Sequence, residues 1–140
     1  MKHIKISFTN SQKILLTVLC FGMAVIGFMV RLPSVFRHMD KELHALFYFI
    51  AAAFLNLLFA KTNLIKHILI FVFLYLFGVF IEYAQGYSNK FFRKRIHGRF
   101  DPADIQSNLN GLIAFSALWL VCTVGIVVYK RVMVKNKELQ

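Results

Sequence analysis

Four of the six acidic residues of this chain lie in polar segments that border apolar runs. Asp40 and His44 are one helical turn apart, a spacing at which a carboxylate can orient an imidazole for proton transfer. Carboxylates with a histidine can also bind a divalent cation, although no spacing in this chain specifies a metal. The structural alternative is that Asp40 is a helix N-cap and His44 a hydrogen-bonded histidine at a membrane surface.

A second polar pair, Glu82 and Gln85, shares a helix face at the end of a long apolar run. A carboxylate in or beside a membrane span is unfavourable, so by default it marks a functional site or a paired network. The planar guanidinium of Arg99 is suited to binding a phosphate or a carboxylate. The structural alternative is therefore a salt bridge from Glu82 to Arg99 or Lys41 that joins two spans.

The polar segment at residues 98–111 predicts the start of a helix. Asp101 is a good N-cap, and Pro102 fits the first helical position, where its missing N–H has no consequence. Asp104, Asn108 and Gly111 then recur at i, i+4 and i+7, so they share one face of this helix. A carboxylate, a carboxamide and a glycine are thus aligned where the helix leaves the loop.

The elements that must position these residues are membrane helices. The chain has 140 residues, 59% of them hydrophobic, and a mean hydropathy of +0.63. A soluble domain of this length does not bury so much apolar side chain. We therefore expect one all-α domain over residues 1–140, a bundle of four transmembrane helices at about residues 14–30, 43–60, 64–85 and 104–129.

An even number of spans places both termini on one side of the membrane and the candidate site on the other. Lys and Arg divide nine against eight between the two sides, so the positive-inside rule gives no orientation. The short basic N-terminus before the first span favours cytoplasmic termini. The polar site is then predicted at the extracytoplasmic face of the inner membrane.

Charge and cysteine content restrict the partners. The net charge of +11 comes from bases at the ends of apolar runs, which favours anionic lipid headgroups over nucleic acid. The basic aromatic segment at residues 90–95 is given the same interpretation. Cys20 and Cys122 lie within apolar runs and are expected to be small core residues without a disulfide. His67 and Asn56 are expected to be interfacial or packing residues.

Three motifs in chain order resemble the VanZ-like family of small bacterial membrane proteins, over roughly residues 10–130. They are D-K-x-x-H entering the second span, E-x-x-Q leaving the third, and R-x-x-x-x-D-x-x-x-N-x-x-G opening the fourth. In this chain they are Asp40, Lys41 and His44; Glu82 and Gln85; and Arg99, Asp104, Asn108 and Gly111. The resemblance implies a cell-envelope role, since the namesake is associated with low-level resistance to the glycopeptide teicoplanin.

Taken with this resemblance, the polar residues predict a site for a lipid-linked or phosphate-bearing envelope molecule. The catalytic candidates are His44, Glu82 and Asp104. The binding candidates are Asp40, Lys41, Gln85, Arg99, Asp101, Asn108 and Gly111. Two alternatives stay open: a lipid-binding or flippase-type protein without chemistry, and a polar network that only joins helices through interhelical hydrogen bonds. The sequence does not decide between enzyme and transporter, and it does not name the substrate.

Overall fold

The computed structural model describes residues 8–29, 39–93 and 100–138. These residues form helices and connecting turns, with no strand among them. The helices are α1 (Asn10–Met29), α2 (Asp40–Leu55), α3 (Leu64–Phe91) and α4 (Pro102–Glu138), and a π-helical turn (Asn56–Ala60) extends α2. All four are long and apolar enough to cross a membrane. The predicted all-α class is confirmed, and so is the prediction of four helices long and apolar enough to span a membrane. That these helices do span one, and the side on which the termini lie, stay predictions.

The two later helices are longer than the sequence indicated. α3 continues six residues past Gln85 to Phe91, and α4 continues past Tyr129 to Glu138. With 37 residues, α4 is about 55 Å long, against about 30 Å for the hydrocarbon core of a bilayer. The basic C-terminal end of α4 therefore extends beyond the apolar layer when the helix spans it.

Helix α4 packs its buried face mainly against α2. The buried positions of α4 follow a helical period, and they are Asp104, Ser107, Asn108, Gly111, Leu112, Phe115 and Trp119. Opposite them α2 contributes Tyr48, Ala51 and Leu55, and α3 adds Leu74, which is fully buried. Small residues in this interface let two membrane helices approach closely, which is the usual basis of helix association in lipid.

The outward faces of the bundle are apolar. Ile65 is 71% exposed and Val121 72%, and helix α1 has no buried residue. α1 contacts the bundle through aromatic rings, Phe21 on Phe77 at 5.0 Å between centroids and Phe28 on Phe47 at 4.8 Å. In water such surfaces would drive aggregation, whereas in a bilayer they face lipid.

The two cysteines are free thiols, as expected. Cys122, however, is exposed on the outer face of α4, so the prediction that it is a core residue is wrong. The apolar run around it could not indicate which face of the helix is buried, because the residues on both faces are hydrophobic.

The turn between α2 and α3 contains an unfavourable backbone conformation. Lys61 has φ 54° and ψ −106°, in the half of conformational space that residues with a Cβ rarely adopt. Its N–H still donates to the Asn56 carbonyl at 2.8 Å, which holds the chain in the turn.

Lys61→Gly is therefore expected to raise the thermal stability of the purified protein, by about 0.5–1 kcal/mol. Thermal unfolding in detergent would measure it. The matched control is Thr62→Gly at the next position, where φ is not positive and glycine only adds freedom to the unfolded chain. Equal destabilisation by both changes would contradict the prediction.

Candidate functional site

The starts of α2 and α4 and the C-terminal half of α3 meet in one polar cluster. Asp40 and His44 lie in the first turns of α2, Glu82 lies in the C-terminal half of α3, and Asp104 and Asn108 lie at the start of α4. His44, Glu82, Asp104 and Asn108 are buried. Glu82 is close enough to His44 and Asp104 to interact with both electrostatically. The structure thus brings residues from three separate segments together at one end of the bundle.

Asn108 holds the ring of His44. The His44 Nδ1 lies 2.9 Å from the Asn108 Oδ1 in a buried hydrogen bond. A carboxamide oxygen only accepts, so Nδ1 is the donor in this bond, and in the neutral ring the lone pair is then on Nε2. The nearest Asp40 oxygen is 3.9 Å from Nε2, beyond hydrogen-bond distance. The residue that orients this imidazole is Asn108, and Asp40 faces the other nitrogen.

Glu82 is fully buried, with an exposed fraction of 0%. Its Oε2 accepts the backbone N–H of Asp101 at 3.1 Å. The Asp101 side chain in turn accepts the N–H of Ala103 at 2.9 Å, which confirms Asp101 as the N-cap of α4. Glu82 therefore joins α3 to the N-cap residue of α4 through a single carboxylate oxygen.

Two buried carboxylate oxygens, Oε1 of Glu82 and Oδ1 of Asp104, have no hydrogen-bond partner among the described residues. Within the same part of the chain, no Lys or Arg side chain lies within 4.0 Å of either group. The alternative of a salt bridge from Glu82 to Lys41 is accordingly not formed. A buried polar atom without a partner costs about 1–3 kcal/mol, and more when it is charged.

Two further residues form the site and were not among the candidates. Tyr48 is one turn after His44, and its hydroxyl lies 2.9 Å from where a Cβ on Gly78 would be. The amide nitrogen of Asn108 lies 2.8 Å from the same point. Gly78 thus leaves the space that these two polar groups occupy. In the sequence, the position of Gly78 one turn before Glu82 was the available signal that Gly78 belongs to the site.

The remaining candidates occupy different places. Gln85 is buried and donates to the Phe28 carbonyl at 2.8 Å, so it joins α3 to α1. Lys41 is exposed at the start of α2. Gly111 lies against the backbone of α2. Arg99, the predicted anion ligand, lies outside the described residues.

A second buried polar network lies at the opposite end of the bundle. Unlike Glu82 and Asp104, its side chains have hydrogen-bond partners for their polar atoms. His67 Nδ1 lies 2.8 Å from Asn56 Oδ1, and its Nε2 lies 3.2 Å from Ser116 Oγ. The His67 ring stacks on Trp119 with centroids 4.1 Å apart, and the indole N–H donates to the Lys61 carbonyl at 2.9 Å. Since the polar atoms of these side chains have partners, the network is suited to joining α2, α3 and α4.

No protein-family model, curated protein or solved structure matches this chain. The contrast between the two polar networks therefore rests on geometry alone. One is paired throughout, and the other keeps two buried carboxyl oxygens without partners.

Proposed function

We propose that this chain is a VanZ-like integral membrane protein of the bacterial cell envelope. Its polar site binds a lipid-linked or phosphate-bearing envelope molecule and is suited to proton transfer on it. The observation that carries the proposal is the pair of unpartnered oxygens on the buried Glu82 and Asp104. A network that served only to join helices would pair these oxygens, as the His67 network does.

The proposed roles follow from the contacts. His44 is the proton acceptor, because its Nδ1 donates to Asn108 and the neutral ring then has its lone pair on Nε2. Asn108 positions this ring. Glu82 is the second candidate base, and Asp104 orients the ligand. Arg99 is proposed to bind the anionic group, on its residue type and motif position alone.

The proposed setting is the bacterial inner membrane. All four helices cross it, both termini are cytoplasmic, and the site opens at the extracytoplasmic face, where lipid-linked envelope precursors are present. The exposed bases at the helix ends bind anionic headgroups. A contribution to glycopeptide tolerance is part of the proposal through the family resemblance.

The test is binding and turnover of polyprenyl phosphate and polyprenyl pyrophosphate by the purified protein, with and without Mg²⁺. We expect binding of at least one of them, weakened about tenfold or more in His44→Gln. Release of phosphate would indicate an enzyme, and binding alone a lipid-binding protein.

Glu42→Gln is the matched control, because Glu42 lies in the same turn of α2 as His44 but is exposed. It should bind as the wild type does. No binding and no turnover of either lipid would overturn the proposal.

A further inference from the structure

Asp40, His44 and Asp104 each offer a ligand atom, and the three atoms lie within 4.8 Å of one another. We infer that these residues form a binding site for a divalent transition-metal ion, Zn²⁺ or Mn²⁺. The role of the ion in ligand binding rests on the proposed function, whereas the binding of the ion itself does not. The site joins the first turn of α2 to the first turn of α4.

The histidine is oriented as metal ligands are. A metal-binding imidazole usually donates its other N–H to a fixed acceptor, which sets the tautomer and the direction of the free lone pair. Asn108 is that acceptor here, at 2.9 Å from Nδ1. The remaining nitrogen, Nε2, is the one that faces Asp40. When Nε2 binds the ion it no longer accepts a proton, and Glu82 is then the base of the site.

Asp104 supplies a buried ligand that is otherwise unexplained. Its exposed fraction is 7%, and its Oδ1 has no hydrogen-bond partner among the described residues. A metal ion would satisfy that oxygen and offset the unfavourable burial of the carboxylate. The same ion would reduce the repulsion between the two aspartates, which are near enough to affect each other.

Asp40 gives the site access to solvent. Its side chain is 41% exposed, against 8% for His44. An ion can therefore reach the site from the membrane surface, and three protein ligands leave coordination positions for water or a ligand oxygen.

One imidazole with two carboxylates favours first-row transition ions over Ca²⁺ and Mg²⁺, which prefer oxygen ligands alone. The ion also makes phosphate binding at this acidic site more favourable. The site contains four carboxyl groups (Asp40, Glu82, Asp101 and Asp104), which would repel a phosphate. A bound divalent cation offsets two of these negative charges and offers the phosphate oxygen an open coordination position.

The experiment uses the full-length, tag-free protein in a neutral detergent, treated with EDTA and dialysed. It is titrated with MnCl₂ while the electron paramagnetic resonance signal of free Mn²⁺ is recorded. We expect one Mn²⁺ bound per chain, displaced by ZnCl₂ and not by equal MgCl₂. Asp104→Asn and Asp40→Asn should each weaken binding about tenfold or more.

Asp40→Asn keeps the test decisive if Asp104→Asn folds poorly. The Asp40 side chain is half exposed and has no short contact with His44, so its substitution should leave the fold intact. Glu42→Gln is the control and should bind Mn²⁺ as the wild type does. Absence of binding, or equal binding by wild type and Asp40→Asn, would overturn the inference.

The titration contains no lipid, so the two proposals can fail separately. Mn²⁺ binding by a protein that binds neither polyprenyl phosphate nor polyprenyl pyrophosphate would retain the ion site and remove the proposed function. Lipid binding that is unchanged by EDTA, without Mn²⁺ binding, would retain the function and remove the ion site.

Discussion

Gly111→Ala is expected to destabilise the protein strongly, although glycine to alanine normally favours a helix by about 1 kcal/mol. A Cβ on Gly111 would collide with the carbonyl oxygen of Ala45 and would lie 2.9 Å from its carbonyl carbon. These are backbone atoms of α2, so the clash is relieved only if α2 and α4 move apart. Overpacking of this kind typically costs about 1–3 kcal/mol, and the loss of tight packing in this main interface adds to it.

The measurement is the midpoint of thermal unfolding in detergent, with the amount of protein in the membrane as a second readout. Gly125→Ala is the matched control, because Gly125 lies on the same helix and a Cβ there would have no neighbour within 4 Å. It should leave stability unchanged or raise it. Equal midpoints for the two variants would show that α2 and α4 do not approach as closely as the structure indicates.

Glu82→Gln and Asp104→Asn are expected to fold as well as the wild type or better, while losing binding of the phosphate-bearing lipid. Each substitution keeps an acceptor oxygen and the size of the side chain but removes a buried carboxylate. In Glu82→Gln the new carboxamide oxygen can still accept the Asp101 N–H, which Glu82 accepts at 3.1 Å in the wild type. Residues held at a cost in stability are characteristic of functional sites.

Thermal unfolding and lipid binding would be measured on the same preparations, with the exposed Glu42→Gln as control. We expect both variants to have unfolding midpoints at or above the wild-type value. We expect their binding of the phosphate-bearing lipid to be weakened about tenfold or more. A large drop in both midpoints would mean that the carboxylates join helices, as His67 and Asn56 do. The network would then be structural, and the two residues would be removed from the candidate site.

The sequence by itself determined the four helices and approximately where each begins, although α3 and α4 continue six and nine residues past their predicted ends. Long apolar runs need no partner to be recognised, because length and hydropathy alone specify a helix that can cross a bilayer. The start of α4 was equally predictable. The N-cap at Asp101 follows from one side chain and its neighbours in the chain, and the structure has it. The grouping of Asp40, Glu82 and Asp104 at one end follows from alternating helix direction.

Only the tertiary structure decided which polar atoms pair. Asn108 orients His44, Gln85 bonds to the backbone of α1, and Gly78 leaves space for the Tyr48 hydroxyl. The physical reason is that helices apolar on every face carry little information about rotation around their axes. The pairing depends on how closely α2 and α4 approach, and that distance is set where Gly111 meets the backbone of α2.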